Sequence, residues 1–135
     1  MRLREGLLLA VIAAVSIAAP VHTATHTVNI SLVTFDPAVL TVNVGDTVIW
    51  RNNSFLQHTV TRGVNCQPAS GGFDSGIMDP DGQFSFTFAN TGSFDYFCLL
   101  HCIAGMRGTV VVEIAPVPIA ATTWGSIKAL YRTVR

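Results

Sequence analysis

Within the run Phe97-Cys98-Leu99-Leu100-His101-Cys102-Ile103-Ala104-Gly105-Met106 the chain places a thiol, an imidazole and a thioether close together. A further imidazole, His58, stands well upstream. Soft sulfur ligands with imidazole suit copper, and two histidines and a cysteine with a weak axial methionine form the arrangement used for electron transfer. Taken singly, each residue has an ordinary explanation: His58 as a satisfied surface histidine, Met106 as a core filler, Cys98 as a buried thiol. Four donors of these types in this order point instead to a metal. Tetrahedral zinc on Cys98, Cys102, His58 and His101 is an alternative, but structural zinc sites are built from paired units such as Cys-x2-Cys or His-x3-His, which this chain lacks. A binuclear copper centre would use the spacing Cys98-x3-Cys102, yet no second histidine follows His101.

Three cysteines leave one over after a single disulfide. That arithmetic supports Cys98 as the ligand, and Cys66 and Cys102 are then the natural pair in an oxidising compartment. Such a compartment is expected from the N-terminus. Residues 1–24 start with Arg2 and Arg4, continue through an apolar stretch from Gly6 to Ala19 and pass into Pro20-Val21-His22-Thr23-Ala24, the build of an export signal cleaved between Ala18 and Ala24. An uncleaved membrane anchor competes with this reading, but the apolar stretch is shorter than the roughly 20 residues of a span. The expected location is therefore the periplasm or the extracellular space.

A chain of 135 residues, 50% of them hydrophobic, suffices for one domain with a modest core. Its zero net charge hides an asymmetry. Residues 25–114 carry Arg51, Arg62 and Arg107 against seven acids, a charge of −4, whereas residues 115–135 carry Lys128, Arg132 and Arg135 with no acid, a charge of +3. An acidic body without a basic stripe argues against nucleic acid and favours a basic protein partner.

The elements that must hold the donors read as strands. His26 to Val33 alternates apolar or β-branched residues with polar ones, Val39 to Val44 repeats the alternation, and Thr47 to Arg51 is a third strand after the Gly45-Asp46 turn. Asp36-Pro37 interrupts pairing. From Phe55 to Gly76 the pattern predicts a loop, with turn signals at Arg62-Gly63 and Gly71-Gly72. Asp79-Pro80-Asp81-Gly82 suits a type I turn and leads into a strand whose Phe84, Phe86 and Phe88 share a core face. Phe94 to Cys98 and Gly108 to Ile114 complete the set. Six to eight short strands with turn punctuation predict an all-β, antiparallel Greek-key sandwich over residues 25–114. Beyond it, Ala115-Pro116-Val117-Pro118 forms a linker, and Thr122-Thr123 could cap a short helix with Trp124, Ile127, Tyr131 and Val134 opposite the basic residues. This tail is either a loosely docked terminus or a contact for a membrane surface, sorting factor or partner.

The chain resembles the plastocyanin-type cupredoxins, small blue copper proteins. The resemblance spans about residues 26–114 and rests on Gly92 to Cys98 leading into Cys98-x2-His101-x4-Met106. Upstream it rests on Phe35-Asp36-Pro37, Gly45-Asp46-Thr47-Val48-Ile49-Trp50, Asn52-Asn53 and His58-Thr59-Val60. It implies a single type 1 copper ion held by the ring nitrogens of His58 and His101, the thiolate of Cys98 and, at longer range, Met106. It implies that redox partner proteins dock at an apolar patch beside His101, formed here by Leu99, Leu100, Ile103 and Ala104. It also places Asn53 and Thr59 where polar residues tie the two ligand-bearing loops together, although both could be ordinary turn residues. Cys102 departs from the plain plastocyanin pattern but is similar to the disulfide cysteine that plant phytocyanins carry beside this histidine.

The expected function is the shuttling of single electrons between proteins. No Ser/His/Asp set, paired acids or phosphate loop is present to catalyse a reaction on a small-molecule substrate, and a four-ligand copper leaves no open position for one. The alternative is an exported copper-binding or copper-delivery protein without a redox role. Such a protein would be expected to expose Met or His clusters, and this chain has only Met1, Met78 and Met106.

Overall fold

The computed structural model describes residues 23–116. The expected export segment 1–24, apart from Thr23 and Ala24, and the tail 115–135, apart from Ala115 and Pro116, lie outside the described residues. Among the described residues no helix is long and apolar enough to cross a membrane.

Alternating sequence stretches become strands β1 (Thr25–Ser31), β2 (Thr34–Asp36), β3 (Val39–Asn43), β4 (Thr47–Asn52), β5 (Thr61–Val64), β6 (Gln67–Pro68), β7 (Gln83–Thr87), β8 (Gly92–Phe97) and β9 (Arg107–Glu113). They form a four-stranded sheet in the order β2-β1-β4-β7 and a five-stranded sheet in the order β3-β9-β8-β5-β6. The Greek-key sandwich expected from the sequence is borne out. Two features refine it: nine strands form among the described residues instead of six to eight, and the sheets are mixed rather than wholly antiparallel, since β1 runs parallel to β4 and β3 parallel to β9. Parallel neighbours need a crossover connection. Here the chain leaves β1, crosses to the other sheet as β3 and returns beside β1 in the same direction as β4.

The period of two then decides what is buried. Val28 and Ile30 of β1, Val48 and Trp50 of β4, Val42 of β3, Tyr96 of β8, and Val110 and Val112 of β9 turn inward and meet between the sheets. Phe88 is buried, while Phe84 and Phe86 pack half-buried against the same core, so the three phenylalanines do share its face. Trp50 is the centre of this layer, with the rings of Phe73, Phe84 and Tyr96 at 5.7, 5.7 and 5.4 Å. Truncating an aromatic in such a position costs about 3–5 kcal/mol.

Two turns differ from expectation. Gly82 N–H donates to Asp79 C=O at 2.9 Å, closing the predicted turn, but Asp81 has φ 63°, the signature of type II rather than type I. The stretch from Phe55 to Gly76 is not all loop: β5 and β6 form a small hairpin across Asn65 and Cys66, whose φ values of 51° and 63° are those of a type I′ turn.

Asp46, 1% exposed, closes the end of the sandwich where the chain enters. Its carboxylate accepts the N–H groups of Ala24 (2.7 Å) and Asn43 (2.9 Å) and lies 2.9 Å from His26 Nε2. Burial pushes its pKa up, but these partners outweigh burial and hold it below the ordinary carboxylate value. A lowered native pKa stabilises the fold above the unfolded value and loses that contribution as pH falls through the native one. We expect the urea-unfolding free energy to decline as pH falls below about 4, and Asp46→Asn to flatten that decline while lowering stability at pH 7. An equal decline in the variant would show that other carboxyls carry it.

Candidate metal centre

His58 lies between β4 and β5, and its backbone is fixed from both sides: its N–H donates to Met78 C=O at 3.1 Å and its C=O accepts from Met78 N–H at 2.8 Å. The loop leading to it is organised by Asn52, which is fully buried because it continues the inward face of Val48 and Trp50. Asn52 Nδ2 donates to Leu56 C=O (2.7 Å) and Asp79 C=O (3.0 Å), with Met78 C=O at 3.3 Å. Ser54 is attached to the same amide and reaches His58 Nε2 at 2.9 Å.

The other three candidates come from the turn between β8 and β9. Cys98 follows directly on β8, and its N–H donates to Met106 C=O at 3.2 Å, so the loop closes on itself just before β9. Inside it, His101 N–H donates to Cys98 C=O (3.2 Å) and Met106 N–H to His101 C=O (3.3 Å). A single 3-10 turn, Cys102–Ala104, fills the space, and Gly105, at φ 86°, ends it with an N–H to Cys102 C=O. Only a residue free to adopt that left-handed conformation reverses the chain there without strain. Cys98 and Met106 are fully buried and His101 is half-buried.

Thr59 joins the two pieces. Its N–H donates to Cys98 Sγ at 3.4 Å, and its hydroxyl accepts Leu99 N–H at 2.8 Å. Thr61 Oγ1 lies 3.0 Å from both Thr59 Oγ1 and Asp74 Oδ1. The Thr61 hydroxyl is the donor to both, so it links the Asp74 carboxylate to Thr59 and through Thr59 to the ligand loop. Thr59 therefore occupies the tying role expected of it. Asn53 does not: its side chain turns outward to Asn29 Oδ1 at 2.8 Å, and the neighbouring Asn52 ties the His58 loop to the Met78–Asp79 backbone rather than to the second ligand loop.

His58, Cys98 and His101 converge, with ligand atoms all within 4.8 Å of one another. Cys98 Sγ lies 3.7 Å from His58 Nδ1 and 3.5 Å from His101 Nδ1, and the two imidazole rings are 4.8 Å apart. Ligands held about 2.0–2.3 Å from one ion in a trigonal or tetrahedral array are themselves about 3.5 Å apart, so these spacings fit a shared metal. Burial, and after it the nearby His101 ring, hold the His58 imidazole below the ordinary histidine value, which keeps a lone pair available at neutral pH. Cys102 is not free to join them. It is bonded to Cys66, with Cα atoms 5.8 Å apart, as the cysteine count led us to expect. That bond removes the donor which both the zinc and the binuclear copper alternatives require. Leu99, Leu100, Ile103 and Ala104 are exposed around the loop, Ile103 to 97%.

Residues 22–113 match the family described as copper binding proteins, plastocyanin/azurin family. The chain belongs to this family. Over 84 residues this cupredoxin is 33% identical to a chloroplastic plastocyanin from Tetradesmus obliquus, the match covering 58% of each chain. Over 88 residues it is 38% identical to amicyanin from Paracoccus denitrificans, covering 64% of this chain and 63% of the amicyanin. It thus spans less than two thirds of either relative. An oxidized amicyanin mutant has the same fold, with a TM-score of 0.56 at 33% identity over 65% of this chain and 81% of that one. One type 1 copper ion is the cofactor that the pocket of His58, Cys98 and His101, with Met106 nearby, fits.

Proposed function

We propose that this cupredoxin shuttles single electrons between protein redox partners, with His58, Cys98 and His101 as the strong copper ligands and Met106 as the weak axial one. The observation that supports this most directly is the buried Cys98 thiol between two imidazole nitrogens, fixed from both loops. A thiolate held by a rigid sandwich gives copper little room to rearrange between oxidation states, which lowers the barrier to electron transfer. A delivery protein needs the opposite, an open site that releases its ion.

His101 provides the way in and out, because it is the one half-buried member of the set and the exposed Leu99, Leu100, Ile103 and Ala104 flank it. A partner would dock there, and the acidic body favours a basic one. No reaction on a small-molecule substrate is required. We place the protein outside the cytoplasm, in the periplasm or extracellular space. The Cys66–Cys102 bond agrees with an oxidising compartment. Residues 25–114 then form the cupredoxin domain, with signal cleavage between Ala18 and Ala24, and the N–H and C=O of Ala24 are both held within the fold by Asp46 and Thr47.

Copper titration followed by voltammetry tests the reading. One copper per chain and a reversible one-electron couple are expected; tight copper binding with no reversible couple would replace electron transfer with copper delivery.

A further inference from the structure

We infer that Asn52 and Ser54 are positioning residues that fix the tautomer of His58, keeping the proton on Nε2 and the lone pair on Nδ1. Nδ1 is the nitrogen that faces Cys98 Sγ, at 3.7 Å. The inference rests on the copper reading for the ligand role of His58, but its hydrogen-bond argument does not.

The argument is one of donors and acceptors. Asn52 has backbone carbonyls on one side of its amide, those of Leu56, Met78 and Asp79, and carbonyls only accept. Its NH2 group must face them, which leaves Oδ1 on the other side as a pure acceptor. There Oδ1 meets Ser54 N–H at 3.1 Å and Ser54 Oγ at 2.9 Å. Two acceptors at 2.9 Å would repel, so the single hydroxyl proton of Ser54 points at Asn52 Oδ1, the nearer of its two pure acceptors, the other being Leu56 C=O at 3.3 Å. Ser54 Oγ then has only lone pairs for its remaining neighbours. It accepts Leu56 N–H at 3.1 Å and, by the same necessity, the proton on His58 Nε2 at 2.9 Å.

An imidazole that donates from Nε2 while neutral is a lone-pair donor at Nδ1. The orientation of one buried amide is thereby transmitted through one hydroxyl to the nitrogen that meets the metal. Without Ser54 both tautomers become accessible, and the ring must be selected and oriented at each binding event. Partners of this kind are worth about 10–100-fold in metal affinity.

The test uses the whole protein, first without metal. Nitrogen NMR of the neutral imidazole at about pH 8 should show His58 protonated on Nε2 alone. Ser54→Ala should give a mixture of tautomers and, by competition against a copper chelator, an affinity lower by about 10–100-fold, with Ser54→Thr restoring both. A wild-type His58 protonated on Nδ1 would overturn the inference without any variant. So would a Ser54→Ala protein with unchanged tautomer and affinity. A wild-type protein with the Nε2–H tautomer, lost in Ser54→Ala, but with no affinity for copper would uphold the tautomer and defeat the copper reading instead.

Discussion

Cys98→Ser abolishes the intense visible band of the copper(II) protein, while Cys66→Ala/Cys102→Ala keeps it. That band is charge transfer from a thiolate to copper, and a serine hydroxyl has no equivalent electron to give. The substitution is suited to the question because it removes the sulfur and little else. The new hydroxyl can still accept Thr59 N–H, which Cys98 Sγ accepts at 3.4 Å, and can donate to an imidazole nitrogen, so the buried polar group is not orphaned. The fold should survive, and circular dichroism of the metal-free variant checks that it has. Retained copper without colour is the expected result. A band that survives in Cys98→Ser but disappears when Cys102 is removed would exchange the roles of the two cysteines.

The second large effect is on stability. Cys66→Ala/Cys102→Ala should lower the unfolding free energy by about 3–4 kcal/mol, because the bond closes a loop spanning a separation of 36 residues. For a domain of this size that amounts to a fall of about 15–30 °C in the melting midpoint, measurable by calorimetry on the metal-free protein. Colour should persist in this variant, since the ligand loop keeps its ties from Leu99 to Thr59 and from Cys98 to Met106. A midpoint shift of only a few degrees would mean that the unfolded chain is already restrained there by other contacts.

Much of the sandwich was legible because strand alternation is a local property. What alternation does not carry is direction: Thr25 to Ser31 reads the same whether its neighbour runs parallel or antiparallel, so the pairing of β1 with β4 could not be anticipated. The β5–β6 hairpin escaped for another reason. Its second strand is two residues long, and its turn is Asn65-Cys66 rather than the Asn-Gly that usually signals type I′. At the metal centre the donor residues were legible from type and order, whereas the residues that hold them were only partly so. Asn53 was expected to help hold the site, but it is the neighbouring Asn52 that turns inward and organises the His58 loop, and in a strand one position is the difference between faces. The correction was available in the alternation itself, because Val48, Trp50 and Asn52 lie on one side. Ser54 gave no such signal, since its role depends on an amide orientation that only the three facing carbonyls determine.

His58 and Cys98 are 40 residues apart in the chain and share one pocket only once β5 has paired with β8, which sets Thr61 opposite Phe97. The unfolded polypeptide therefore has no site, and metal affinity and folding are a single linked equilibrium. Each tenfold of free copper above the dissociation constant adds about 1.4 kcal/mol to the stability of the native state. A chain exported unfolded would leave any copper behind, so its loading belongs to the compartment in which it folds.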